Sequence, residues 1–294
     1  MSKTYLIIDV KYLCYRTRWA MGNDLSYMGT PTTIIYGFLK DLIGLQDKFR
    51  TRNLLFCFDS KTSRRKKLYP EYKANRHKKE LTDEEFEFEM AFQYQIVKLR
   101  KKYLPEIGYR NIYRVKGLEA DDIMASLANK LSKYKLEDKG VLVTADQDLY
   151  QCISSNVTFY SPSSQKELTL QGFTQKYGIH TSQWAWLKSI TGCSTDNVAG
   201  VRGVGEKTAI KYITGKLGAK TKAHCSITND EGRKIIKRNK ALVKLPFKGT
   251  PKFKIEKDEL SIKGWKRVCK QLGFKSLGTR YLTHKGGEAW HRSC

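Results

Sequence analysis

The chain has 294 residues, 40% hydrophobic and 12% aromatic, with 55 Lys and Arg against 29 Asp and Glu for a net charge of +26. That length suits one large α/β domain, or one domain with a smaller appendix, and the composition excludes a disordered polymer. The positive surplus should attract a polyanion, nucleic acid being the commonest in a cytosol; a basic protein that is merely soluble is the plainer alternative.

Along the chain, short apolar runs alternate with helical patterns. Residues 5–9, 53–59, 109–115, 140–146 and 156–160 read as strands, several buried on both faces. Residues 32–49, 83–104 and 120–133 read as helices, the last with Ile123, Leu127 and Leu131 on one stripe. The alternation predicts a mostly parallel sheet flanked by helices. A small helical region follows residue 160, and from about Lys216 the chain is strongly basic with few clear elements.

No run of 18 apolar residues occurs, and Asp9 and Lys11 interrupt the apolar start, so neither a membrane span nor a signal peptide is expected. Seven cysteines, none in a Cys-x-x-Cys pair, read as reduced intracellular thiols rather than as a disulfide or zinc framework.

The acids fall at strand ends. Asp9 and Asp59 close two strands, Asp146 and Asp148 follow a third, and GLEADDIMASLA sets Glu119, Asp121 and Asp122 at the head of an apolar helix. A lone acid in such a place is usually a cap. Several aimed at the ligand edge of one parallel sheet point instead to a shared cation. Carboxylates without His or Cys partners suit Mg²⁺ or Mn²⁺, and two such ions about 3.5–4 Å apart activate water and stabilise the leaving oxygen of a phosphodiester. No Gly-x-x-x-x-Gly-Lys-[Ser/Thr] loop is present, and none of the five histidines lies beside these acids, so nucleotide hydrolysis and a Ser-His-Asp site find no support.

Directly after Asp59, SKTSRRKKLYPEYKANRHKK carries nine Lys and Arg and one acid, Glu71. It reads either as a solvated loop or as a phosphate-gripping strip, with Arg64 and Lys66 as contacts and Tyr69 and Tyr72 free to stack on bases. The turn GVRGVGEKTA offers Val201, Gly203, Gly205, Lys207 and Thr208 as contacts to a nucleic-acid backbone, positioning a duplex without reading its sequence.

Together, LIIDVKYLCYRT, FDSKTSRRKKLYPEYKANR, GLEADDIMASLA, VTADQDLYQCI and TGCSTDNVAGVRGVGEKTA resemble, in order and spacing, the 5′ nuclease (flap endonuclease) family, which includes stand-alone bacteriophage enzymes and the 5′-nuclease domain of bacterial DNA polymerase I. The resemblance runs from about Tyr5 to Tyr212. It implies a PIN-like (Rossmann-like) α/β fold with a helical arch and a helix-three-turn-helix. The expected division is a nuclease core at 1–160 with its arch at 60–104, a helical region at 161–218, and a basic C-terminal region at 219–294 packing on the core. It implies metal-dependent hydrolysis near 5′ ends, flaps and nicks of DNA during replication, including removal of RNA primers from RNA/DNA hybrids. By resemblance, Asp9, Asp59, Glu119, Asp121, Asp122, Asp146, Asp148 and Asp196 are metal ligands for two Mg²⁺ or Mn²⁺ ions. Lys73 and Arg76 contact the scissile phosphate, Tyr15 stacks near the site, and the GVRGVG turn grips duplex with a K⁺ ion. A cytoplasmic monomer is implied, in the host cytoplasm if viral, aided by replication proteins.

Two departures stand out. Val10 occupies a common glycine position, and Cys193 replaces an acid of the second metal site with a softer donor. Hence a second reading: a DNA-junction-binding protein whose catalysis Cys193 impairs. A third is an RNA-specific nuclease on the same fold.

Overall fold

The computed structural model describes residues 2–21, 25–77, 82–133 and 137–277. Two compact units divide the chain: Met1–Phe58, Leu81–Tyr113 and Lys254–Cys294 form the first, Asp59–Glu80 and Arg114–Phe253 the second.

In the first unit, strand Thr4–Asp9 pairs in parallel with Asn53–Cys57 from Tyr5↔Asn53 to Asp9↔Cys57, and Asn53–Cys57 pairs in parallel with Ile112–Tyr113. Leu6, Ile7 and Ile8 are all fully buried although consecutive side chains alternate between faces, so helices must cover both. Helices Val10–Met21 and Thr33–Phe49 each bury apolar residues, Val10, Leu13 and Cys14 in the first and Ile34, Phe38 and Leu42 in the second, and they pack on each other. They approach closely at Gly37, where a Cβ would sit 2.1 Å from the Thr17 methyl. Thr32 gives helix Thr33–Phe49 no side-chain cap. Instead the fully buried Gln95 accepts from the amides of Ile34 (3.0 Å) and Ile35 (3.4 Å).

The helix expected over 83–104 is broken. It runs α-helical over Asp83–Lys98, widens to a π turn at Leu99–Tyr103 and resumes at Leu104–Ile107. Pro105 lacks an N–H and its ring crowds the carbonyl four residues back, which the wider turn relieves. Two contacts then fasten residues 259–261: the amides of Glu259 and Ser261 donate to the carbonyls of Gly108 and Ile107. Ser261 caps helix Ile262–Gln271, which buries Trp265.

In the second unit, Lys139–Val143 pairs in parallel with Val157–Ser161, and Lys166–Leu168 adds an antiparallel edge absent from the sequence reading. Helix Ala120–Lys133 has the bounds its apolar stripe predicts. Tyr150, Phe159, Phe173, Tyr177 and Trp184 form an aromatic core with ring centroids 4.8–6.1 Å apart. Past the basic boundary at Lys216, helices Lys222–Thr228 and Asp230–Val243 appear, capped by Thr221 and Asn229. No helix among the described residues is long and apolar enough to cross a membrane.

Candidate active site

The acids of the second unit are positioned by local hydrogen bonds. Asp59 Oδ1 accepts the Ala120 amide at 2.8 Å and so caps helix Ala120–Lys133 from outside. The first turn of that helix carries Asp121 and Asp122, where the helix dipole favours negative charge. Asp146 Oδ1 accepts the Asp148 amide at 2.8 Å, closing the turn that starts the 3₁₀ helix Gln147–Cys152. Trp184 holds this turn by donating its indole N–H to the Gln147 carbonyl at 2.7 Å.

The segment YKANR lies against the turn CSTDN. Lys73 and Asn197 both adopt left-handed backbone, with φ of 57° and 56°. The Lys73 amide donates to the Asp196 carbonyl at 2.8 Å, Asn197 Nδ2 to the Glu71 carbonyl at 2.9 Å, and Asn75 Nδ2 to the Ser194 carbonyl at 3.2 Å. The side chains then converge. Lys73 Nζ lies 2.8 Å from Glu119 Oε2 and 3.7 Å from Asp196 Oδ2, while Arg76 reaches Asp196 Oδ1 at 2.8 Å. Tyr72 donates its hydroxyl between Glu119 and Asp196, each at 3.0 Å.

Electrostatics separate these carboxylates into two kinds. Burial works against ionising Glu119, but Lys73 and Arg65 outweigh it, with hydrogen bonds from Lys73 and Tyr72, and hold its carboxyl below the usual range. Burial, and then repulsion from Asp146, push Asp148 up to about 6. Asp146 is raised as well, by burial and by Asp196 against the hydrogen bond from the Asp148 amide. The first kind is matched by cations of the chain itself. The second is short of positive charge, although Lys188 Nζ stands 3.6 Å from Asp148.

Asp148, Cys193 and Asp196 each offer one donor atom, all within 4.8 Å of one another, the one such group among the described residues. Two carboxylates and a thiol fit a divalent cation, less hard-selective than an all-oxygen set. Burial pushes the Cys193 thiol up, partly offset by Thr195, whose hydroxyl lies 3.1 Å from the sulfur.

The other expected residues are placed as follows. Asp9 and Tyr15 belong to the first unit: Asp9 Oδ1 accepts the Tyr12 amide at 3.0 Å, and the Tyr15 ring packs on Phe92 at 4.5 Å. Tyr72 is not placed for base stacking, being 3% exposed with its hydroxyl turned to the acids. Arg64 is exposed and Nη1 approaches the Gly249 carbonyl at 3.5 Å, while Lys66 is exposed on helix Arg65–Leu68. In the glycine turn, Gly203 takes φ 75° and Gly205 precedes helix Glu206–Ile213; no atom lies within 4 Å of a Cβ at either, so their backbone is open to approach. Val201 is buried and anchors the turn through its amide to the Ile190 carbonyl at 2.8 Å; Lys207 is exposed and Thr208 half-buried.

Two residues that the sequence does not single out matter here. Arg65 is one cation in a strip of nine, and nothing in the composition marks it as the buried one. Lys188 sits in the apolar run of helix Trp184–Thr191, and only the fold turns it towards Asp148.

The second unit thus gathers its acids with Lys73, Arg76 and Lys188 in one group. Residues 4–178 match the model of the 5′-3′ exonuclease N-terminal, resolvase-like domain, and the chain belongs to that family. It is 34% identical over 209 residues to thermostable DNA polymerase I of Thermus thermophilus, covering 71% of this chain and 23% of the polymerase. It is 33% identical over 214 residues to the 5′-3′ exonuclease of Buchnera aphidicola, covering 71% and 69% of the two chains. Its fold matches that of a variant bacteriophage T5 D15 flap endonuclease in a pseudo-enzyme-product complex with DNA and metal ions. That match has a TM-score of 0.69 at 22% identity, over 97% of this chain and all of the other.

Proposed function

We propose that this protein is a metal-dependent 5′ nuclease, cutting phosphodiesters at 5′ flaps, nicks and free 5′ ends of DNA. The observation that carries the reading is the meeting of Lys73, Arg76 and Tyr72 with Glu119 and Asp196, beside the donor group Asp148, Cys193 and Asp196. Glu119 and Asp121 would hold one divalent ion, and Asp146, Asp148 and Asp196 with Cys193 the other; for Asp9 and Tyr15 the roles rest on the sequence resemblance. Bound Mg²⁺ or Mn²⁺ supplies an activated water and stabilises the leaving oxygen.

The chain's own residues do the remaining work. Glu119 is held ionised, so it accepts hydrogen bonds and attracts cations at neutral pH. Lys73 and Arg76 bring two positive charges to a point where a phosphate gains charge in the transition state. The net charge of +26 steers polyanions to the surface, and the open glycine turn presents amides to a duplex backbone.

The test is cleavage of 5′-flap, nicked and RNA-primed duplexes with Mg²⁺, with Mn²⁺ and with EDTA. Metal-dependent release of products from the 5′ side is expected. No cleavage with either metal would overturn the reading.

A further inference from the structure

Asp122 differs from its neighbours in how its oxygens are used. It is fully buried. Arg65, 3% exposed, grips it with both terminal nitrogens, Nη1 to Oδ2 and Nη2 to Oδ1, each at 2.7 Å. The Phe247 amide donates to Oδ1 at 2.9 Å and the Glu119 amide to Oδ2 at 3.2 Å. A carboxylate offers about four acceptor sites, and here four donors fill them. Arg65 is equally committed, since its Nε donates to the Leu242 carbonyl at 2.7 Å and its guanidinium lies 5.0 Å from the Phe247 ring centre.

We propose that Asp122 is a positioning residue, not a metal ligand: with Arg65 it locks three stretches of the second unit together, and the lock sets Lys73 against Glu119. The three stretches are the root of the basic segment at Arg65, the turn at Glu119, and the run from Leu242 to Phe247. Lys73 follows Arg65 by eight residues in that segment, and Glu119 receives its backbone anchor from Asp122 itself. A cation could reach Asp122 only by displacing a bidentate guanidinium, which binds carboxylates strongly when buried. Asp148 and Asp196, in contrast, lie partly exposed within one donor group. The proposal rests on the nuclease reading for its effect on turnover, but its metal arm does not.

The experiment compares Asp122→Asn with Asp148→Asn in the full chain, by Mn²⁺ titration calorimetry without DNA and by steady-state flap cleavage. Asp148→Asn should weaken Mn²⁺ binding by at least about tenfold, and Asp122→Asn by much less. In cleavage, Asp122→Asn should lower kcat by roughly a hundredfold with little change in KM, as misplaced reacting groups do. Should Asp122→Asn fail to fold, the paired change Arg65→Met with Asp122→Leu replaces the ion pair by apolar groups of similar size. Under the proposal that pair folds and loses far less Mn²⁺ affinity than Asp148→Asn does. Loss of Mn²⁺ binding in either folded variant, to the extent seen for Asp148→Asn, would overturn it. A wild-type protein that binds Mn²⁺ without cutting flaps would sink the nuclease reading while leaving the metal comparison intact.

Discussion

The Asp59 carboxylate accepts the Ala120 amide at 2.8 Å, so an acid sixty-one positions upstream closes the helix that carries Asp121 and Asp122. An acid read from the sequence as a metal ligand thus has a capping task as well. The two tasks separate by substitution, because asparagine caps as well as aspartate but lacks its charge. Asp59→Asn should keep the thermal midpoint and lose metal-dependent turnover, whereas Asp59→Ala should also lose about 0.5–2 kcal/mol in a denaturant titration. Equal stability of the two variants would count against the cap.

Lys73 is bonded to the acids through Nζ and to the CSTDN turn through its backbone. Lys73→Ala keeps the backbone bond and removes the ammonium group with its bonds to the acids. Its kcat on a 5′ flap should fall by about 10²–10³, the range for a lost electrostatic contact in a transition state, while DNA affinity changes little because many other phosphates are held. Parallel losses in kcat and affinity would make it a general DNA contact.

Cys193 shares a donor group with two carboxylates. A thiol disfavours Mg²⁺ relative to softer ions. Cys193→Asp should therefore raise the ratio of Mg²⁺-supported to Mn²⁺-supported cleavage. A large rise in rate with both ions would favour the impaired junction-binder of the sequence reading, and an unchanged ratio would remove Cys193 from the ion's surroundings.

Away from the site, Gln95 supplies the acceptor that the amides of Ile34 and Ile35 lack from Thr32. Gln95→Leu fits the buried volume but leaves those donors unsatisfied. A loss of about 1–3 kcal/mol is expected in urea titration, with flap cleavage by the remaining folded protein unaltered.

Where buried patterns were regular, the sequence was easily read. The stripe Ile123, Leu127 and Leu131 gave helix Ala120–Lys133 its bounds, and the apolar runs around Ile7 and Leu55 gave paired parallel strands. Long-range contacts were not legible. Nothing local shows that Tyr72 turns inward, because its burial depends on Glu119 and Asp196, far along the chain. The same holds for Arg65 among its equally charged neighbours. The π turn at Leu99–Tyr103 escaped an otherwise uninterrupted helical pattern, though Pro105 was the available signal. Helix Asp230–Val243 was hidden by its five Lys and Arg and helix Lys222–Thr228 by its seven-residue length, although Thr221 and Asn229 are ordinary caps.

The left-handed backbone at Lys73 carries an implication for how such a position can vary. Every L side chain with a Cβ meets a penalty of about 1–2 kcal/mol in that conformation, and glycine escapes it. The chain therefore forgoes an easier fold at this point to keep an ammonium group there. Lys73→Gly should emerge more stable than Lys73→Ala, and just as poor a catalyst.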